Sequence, residues 1–259
     1  MIIKDKQTLE TYKQAGKLSA KILAQLREKI AVGVTPLEVD QLADELCKQH
    51  NVEPNFKGVG KVGNTYRHAT CISVNDIVVH GIPNSRAFKK GDLVKVDFGI
   101  RYEGLNTDHC FTVGVEKVKP RDLKLIKAAR DGILAAAKQA IVGNYTGDLG
   151  FIMQAEANKH GFTVAKEFVG HGIGLTLHDD PQIPSYGQPQ TGSKLKKGMV
   201  LCVEAQYLGG DDTVYIDQDG WTVKTLDLAN SAMFEYMVVV QEKQPLFLTP
   251  TLDWPIISR

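Results

Sequence analysis

The residues in this chain best suited to chemistry are acids and histidines set at the ends of short β-like runs. Residues 89–113, KKGDLVKVDFGIRYEGLNTDHCFTV, carry two of the acids. Val94, Val96 and Phe98 alternate with Leu93, Lys95 and Asp97, which reads as a strand. Gly99 and Gly104 bracket a reversal, and Leu105–Val113 reads as the return strand. A symmetric hairpin centred between Tyr102 and Glu103 puts Asp97 opposite Asp108. Like charges in that position repel. Either a cation sits between the two carboxylates, or the register is shifted and both aspartates face solvent.

The second half of the chain repeats this plan. Two predicted helices lead to HGIP at 80–83 and, later, to HGIG at 171–174; KKGDLVKVD at 89–97 is matched by KKGMVLCVE at 196–204. Asp97 and Glu204 each stand six residues beyond the glycine of their Lys-Lys-Gly. Two related halves facing each other would bring His80, His171, Asp97 and Glu204 towards one central cleft. FEYMVVV, 234–240, reads as a further strand with Glu235 among apolar neighbours. That glutamate is costly if buried alone, and a metal, a basic partner or exposure would each relieve it. Asp97, Asp108, His171, Glu204 and Glu235 together make a hard, oxygen-rich donor set suited to Mn(II), Co(II), Fe(II) or Zn(II). Crowded carboxylates otherwise raise one another's pKa. Two divalent cations would offset most of that repulsion, with a carboxylate bridging them at roughly 3.5–4 Å.

The elements that must position these groups are α/β in pattern. Tyr12, Ala15, Leu18, Ile22, Leu26 and Ile30 form an apolar stripe on a helix over Thr8–Ile30. Thr35-Pro36-Leu37-Glu38 reads as a capping box opening a second helix to about Gln49. Pro120 starts a third, running to Val142, and Thr146 caps a fourth over 147–160. Residues 52–70 are glycine-rich and irregular, and Gly58, Gly60 and Gly63 match neither a dinucleotide nor a phosphate-loop spacing. Residues 213–227 read as strands or a long hairpin, with Trp221 assigned to the core by default.

Composition narrows the class. A chain of 259 residues buries a sizeable core, as one domain or two joined halves. Lysine and arginine total 31 against 30 acids, so no broad charge argues for nucleic acid, and no specific nucleic-acid motif is present. Cys47, Cys71, Cys110 and Cys202 form no C-x-x-C pair and read as reduced, mostly buried thiols. No apolar run approaches the roughly 18 residues of a membrane span, and the N-terminus carries no long apolar signal segment. A cytoplasmic location is the default expectation.

The order of VDFG at 96–99, Asp108, HGIG at 171–174, HDDPQIP at 178–184, KKGMVLCVE at 196–204 and FEY at 234–236 resembles the type I methionine aminopeptidases of the creatinase-like, pita-bread superfamily. These landmarks span nearly the whole chain. The resemblance implies a single catalytic domain over 1–259, with pseudo-two-fold halves near 7–115 and 120–240 around a central dimetal site. It implies that Asp97 chelates one ion, that Asp108 and Glu235 bridge the pair, and that His171 and Glu204 complete the other shell. It also implies release of initiator methionine from nascent polypeptides. A metal-activated bridging water would attack the scissile carbonyl, Glu204 would relay the proton, His178 would help stabilise the oxyanion, and His80 would position the substrate. Phe56, Val59, Val62, Cys71 and Trp221 would line the apolar pocket. The expected partners are nascent N-termini, with transient ribosome association, and the expected state is a monomer.

The chain departs from the family pattern at several points. Asn106-Thr107 stands for His-Gly, and His109-Cys110 replaces basic or small polar residues. Ala205 replaces a proline, Tyr236 a histidine and Val79 a cysteine. The pocket loop VGKVGNTYRHATC matches poorly. All five ligands remain. Altered activity, or a nonhydrolytic metal-containing binding paralogue, is the competing expectation. A proline-dipeptide hydrolase is disfavoured, because the chain lacks the extra N-terminal domain of that group.

Overall fold

The computed structural model describes residues 1–251 and 253–258. Four helices form where the apolar periodicity places them: α1 (Lys6–Lys29), α2 (Pro36–Gln49), α3 (Pro120–Lys138) and α4 (Thr146–Lys159). Asp5 caps α1 by accepting from the Thr8 amide at 2.8 Å. Thr35 and Glu38 make the expected reciprocal box on α2, with Pro36 in the first turn. Helix α1 starts two residues before the expected Thr8, and two further boundaries differ from expectation. Helix α3 stops at Lys138, short of Val142. Thr146 lies inside α4 instead of capping it: Asp148 accepts from the Tyr145 amide at 2.7 Å, while the Thr146 hydroxyl accepts from Ser193 N.

The site is built on a nine-stranded, mixed-length sheet. Its principal strands are β1 (Thr70–Val74), β2 (Leu93–Phe98), β3 (His109–Gly114), β4 (Gly170–Gly172), β5 (Asp179–Ile183), β6 (Val200–Leu208) and β7 (Ser231–Val239). They lie in the order β5–β4–β6–β7–β3–β2–β1, every neighbouring pair antiparallel. Thr163–Val164 adds to β6 and Leu246–Phe247 to β7. The two long hairpins, β2–β3 and β6–β7, therefore sit side by side with their second strands adjacent. Val94, Val96 and Phe98 join Ile22 and Leu26 of α1, and Ile126 and Ile133 of α3, in one buried apolar cluster.

The β2–β3 hairpin turns two residues later in register than a centre at Tyr102–Glu103 requires. The turn is Glu103–Gly104, with φ of 48° and 83°, and two successive positive φ values are the signature of the tight reversal that suits strand twist. Asp97 consequently pairs with Cys110, and not with Asp108 as expected. Side chains alternate with period two, so a two-residue shift leaves Asp108 on the same face as Asp97, one diagonal step away.

Gly99 lies between the two aspartates in sequence, where the hairpin bends. A Cβ there would press on the Thr107 carbonyl and within 2.6 Å of Asn55 Oδ1. We predict that Gly99→Ala costs about 1–3 kcal/mol through this overpacking. Gly104→Ala, where a Cβ meets open space but φ is positive, should cost about 1 kcal/mol. Denaturant melts of both variants check the order; equal losses would contradict it.

Candidate metal centre

The sheet pairing sets most of the chemistry-bearing residues in a single rank. Cys71 pairs with Asp97, Asp97 with Cys110, Cys110 with Glu235, and Glu235 with Glu204, crossing β1, β2, β3, β7 and β6 in turn. Directly paired residues share a face, and adjacent strands lie about 4.8 Å apart. The rank therefore brings Asp97, Glu235 and Glu204 onto one surface. Asp108 precedes Cys110 by two residues and joins that surface. His171 pairs with Cys202, two residues before Glu204, and joins it from the other side. Its Nε2 lies 3.8 Å from Asp108 Oδ2 and 3.8 Å from Glu204 Oε1. All five expected ligands come together.

This assembly is buried. Asp108, His171, Glu204 and Glu235 are nearly inaccessible, and Asp97 is half-buried. Burial, followed by mutual repulsion, pushes Asp108 and Glu235 well above the ordinary carboxylate range. The same causes hold Glu204 up at about 8, and burial holds Asp97 up at about 7. Burial lowers His171 to about 4, so its ring is neutral near pH 7. Its Nδ1 bonds the Gly172 carbonyl at 2.9 Å, which leaves Nε2 free to act as a donor to a metal.

Asp97 Oδ1, Asp108 Oδ1 and Glu235 Oε1 are buried without a hydrogen-bond partner. Three unpartnered acid oxygens converging beside a neutral imidazole fit divalent cations. Asp97, Asp108, His171, Glu204 and Glu235 would hold them.

The carboxylates and His171 form one side of a cavity of about 220 Å³. Phe56, Val59, Tyr66, Cys71 and Trp221 form its apolar wall. Val62, expected there, points into solvent instead. It sits in the tight turn joining the Gly60–Lys61 and Asn64–Thr65 pair, and that turn turns its side chain outward. Trp221 is pocket wall rather than core: its Nε1 donates to Asn64 Oδ1 at 2.9 Å and its ring meets Tyr66 edge-on at 5.1 Å. Tyr66 was missed because nothing in an irregular glycine-rich segment marks which way an aromatic points. Its hydroxyl donates to the Thr70 and Gly81 carbonyls, which turns the ring inward.

His80 follows the Ile77–Val79 strand at a φ of 55°, uncommon for a non-glycine residue, although histidine adopts it more often than most. It packs edge-on against Phe168 at 5.5 Å and lines the cavity. His178 stands at the mouth, 4.6 Å from His171 ring to ring. Gln206, also missed, donates to Glu204 Oε2 at 2.6 Å and so fixes that carboxylate. A glutamine two residues beyond a strand glutamate shares its face, which is the signal that identifies it.

The departures from the family pattern now have addresses. Ala205 and Tyr236 occupy the alternate face of β6 and β7, buried in the apolar cluster that contains α3, and do not line the site. Asn106 donates to the Gly174 and Leu175 carbonyls at 3.0 Å each, tying the hairpin to the loop after His171. Thr107 donates to Ser19 of α1 at 2.9 Å, and Ser19 bonds His109 Nε2 at 2.9 Å. These residues clamp the backbone on both sides of Asp108.

A sequence profile of metallopeptidase family M24 matches residues 10–242. The chain belongs to metallopeptidase family M24. A methionine aminopeptidase of Clostridium perfringens is 36% identical over 96% of this chain and 98% of its own length. The crystal structure of a methionine aminopeptidase from Thermotoga maritima superposes with a TM-score of 0.92 at 40% identity, covering 96% of this chain and 99% of that one. A prolidase from Pyrococcus furiosus shares the fold alone, at a TM-score of 0.75 and 23% identity over 66% of its length. The architecture is the pita-bread fold of this family.

Metal and proton compete for the same oxygens. In the metal-free protein, carboxylates whose pKa values are raised to about 7 and 8 retain protons that the unfolded chain releases. That stability is complete below the unfolded carboxylate range and is lost as pH rises through 7–8. A bound cation replaces those protons, while contributions common to both forms cancel. The Tm gain on adding Mn(II) or Co(II) to chelator-treated protein should therefore be a few degrees larger at pH 8 than at pH 6. A gain independent of pH, or none, would contradict the site.

Proposed function

We propose that this chain is a metal-dependent aminopeptidase that releases methionine from peptide N-termini. The observation carrying this reading is the junction of two features in one cavity: a buried rank of acids with one neutral imidazole, and an apolar wall of Phe56, Val59, Tyr66, Cys71 and Trp221 facing it. The cavity is smaller than the roughly 300–1,000 Å³ of pockets for drug-sized ligands. That suits one unbranched apolar side chain, and an unbranched thioether packs well against Tyr66 and Trp221. The support from relatives is that the near full-length ones bear the name methionine aminopeptidase.

Divalent ions at this centre supply polarisation of a carbonyl and acidification of water. The protein's own groups do the rest in this reading. Phe56, Tyr66, Cys71 and Trp221 bind the first side chain and exclude water from it. Glu204, with Oε2 held by Gln206, keeps Oε1 free to receive a proton and pass it to the leaving amine. His80 is neutral at pH 7, because burial lowers it to about 4, and so offers one ring N–H to orient the scissile amide. His178, at the mouth, is suited to donate to the carbonyl oxygen as charge develops there.

We further propose two ions rather than one, since four carboxylates offer up to about eight oxygens beside the imidazole, more donor atoms than one six-coordinate ion takes, and three of those oxygens lack a partner. The expected setting is a monomeric, cytoplasmic enzyme with one catalytic domain, whose halves near 7–115 and 120–240 each supply one hairpin. Its substrates would be nascent chains met in transient association with ribosomes. No helix among the described residues is long and apolar enough to cross a membrane. The nonhydrolytic alternative rests on the departures at 106–110, 205 and 236 together with Val79 and the pocket loop VGKVGNTYRHATC. Ala205 and Tyr236 lie behind the sheet, and Asn106, Thr107 and His109 join bonds that hold the backbone about Asp108, so these departures leave the acid rank assembled.

The peptide Met-Ala-Ser, incubated with chelator-treated protein and Mn(II) or Co(II), should release free methionine. Release of a different residue from a peptide panel would redirect the reading to another aminopeptidase. Glu204→Gln should lower kcat by about 10²–10⁴, and His178→Ala by about 10²–10³. Trp221→Ala should chiefly raise KM for methionine peptides, by on the order of tenfold.

A further inference from the structure

The geometry points to an additional ligand in the metal centre: we propose that the Cys202 sulfur binds the ion held by His171, Asp108 and Glu235, and biases the centre towards thiophilic divalent metals. The inference rests on the metal-binding reading of this site and adds a donor that the five-ligand set does not contain.

Cys202 lies directly opposite His171 in the β4–β6 pairing, on the same face as Glu204. One ligand atom from each of Asp108, His171, Cys202 and Glu235 falls within 4.8 Å of all the others. The thiol is fully buried and not in a disulfide. Its hydrogen-bond geometry to the Asp108 carbonyl is weak, at 4.0 Å. Beside it, Asp108 Oδ1 and Glu235 Oε1 are buried without partners. Leu105, Ile173 and Met237 pack around the thiol and keep water away. Cys110 stands on the same face but donates to its own strand, to the Phe111 carbonyl at 3.7 Å, and does not join this four-residue group.

Binding forms a sulfur–metal bond and breaks the S–H bond, and the proton leaves to water. No electron is transferred and the ion stays divalent. Thiolate is a softer donor than carboxylate, so zinc, cadmium and cobalt should gain over manganese.

The test adds Co(II), without oxygen, to the chelator-treated full-length chain. Visible d–d bands report that the ion is bound, and a near-ultraviolet sulfur-to-cobalt charge-transfer band reports the thiolate. The wild-type chain should show both. Cys202→Ser should keep the visible bands and lose the charge-transfer band, whereas Cys110→Ser should keep both. The ratio of cadmium to manganese affinity should fall on the order of tenfold in Cys202→Ser. Visible bands without the charge-transfer band in the wild type, or a band that survives Cys202→Ser or vanishes in Cys110→Ser, overturns the proposal alone. Absence of cobalt binding by the wild type overturns the metal-centre reading itself. Should Cys202→Ser fail to fold by circular dichroism, Cys202→Ala takes its place under the same criteria, and the wild-type spectrum still decides against the proposal if the charge-transfer band is missing.

Discussion

Four carboxylates crowded onto one buried face are the constraint to which the rest of the structure answers. Antiparallel pairing holds Asp97, Glu235 and Glu204 in one rank, with Asp108 one diagonal step away. No lysine or arginine forms an ion pair with any of them among the described residues. Lys95, two residues before Asp97 on the same face, spends its three donors on Asn75 O, Ser231 O and Ser231 Oγ. The charge therefore has two outlets, protons or cations, and these exclude each other. A sheet that tolerates such crowding must be stiff, and long strands paired on both sides with an apolar cluster behind them supply that stiffness.

The positioning of each acid follows from this. Glu204 and Glu235 sit within nine-residue strands, where pleat alone aims the side chains. Asp108 does not: it lies just before β3, at the end of the hairpin excursion, where backbone direction is less constrained. The hydrogen bonds of Asn106, Thr107 and Ser19 gather at that point. They anchor Asp108 to α1 on one side and to the loop after His171 on the other. Different side chains can serve such an anchoring purpose, provided each buried donor and acceptor is met.

Much of this was legible in sequence, for reasons that mark where legibility ends. Helix stripes, the Thr35 capping box and the repeated Lys-Lys-Gly strands follow local rules, and the structure keeps them. Asp97, His171 and Glu204 come together as the duplicated pattern suggests, and Asp108 and Glu235, which that pattern does not supply, join them. The hairpin register differs from the symmetric expectation by one turn position, because Glu103, a residue type that rarely takes positive φ, does so beside Gly104. The period-two rule then rescued the outcome, since a shift of two preserves the face. Lys95 was read as one of the polar residues of an alternating strand, yet it is fully buried. Alternation distinguishes two faces but not which of them meets water. Val62 was placed in the pocket and Tyr66 overlooked for a different reason. Side-chain direction in the 52–70 segment is set by tertiary partners, Trp221 among them, that lie far away in sequence.

That last dependence divides the site into two kinds of construction. The metal-facing groups stand on paired strands, and their spacing follows from backbone geometry. The pocket wall is assembled from two distant segments, the 56–71 loop and the strands around Trp221. They are held by the Trp221–Asn64 hydrogen bond and by the pairing of Val223 with Val79, the residue just before His80. Gly60 allows the close approach, because a Cβ there would lie 2.6 Å from the Trp221 ring. Specificity thus rests on docking between loops, and chemistry rests on a sheet. Loop residues can change without disturbing the carboxylate rank, because none of the strands that carry the rank depends on the 56–66 segment for its pairing. The converse does not hold: any change that tilts β2, β6 or β7 moves several ligands together, and no loop adjustment could restore them.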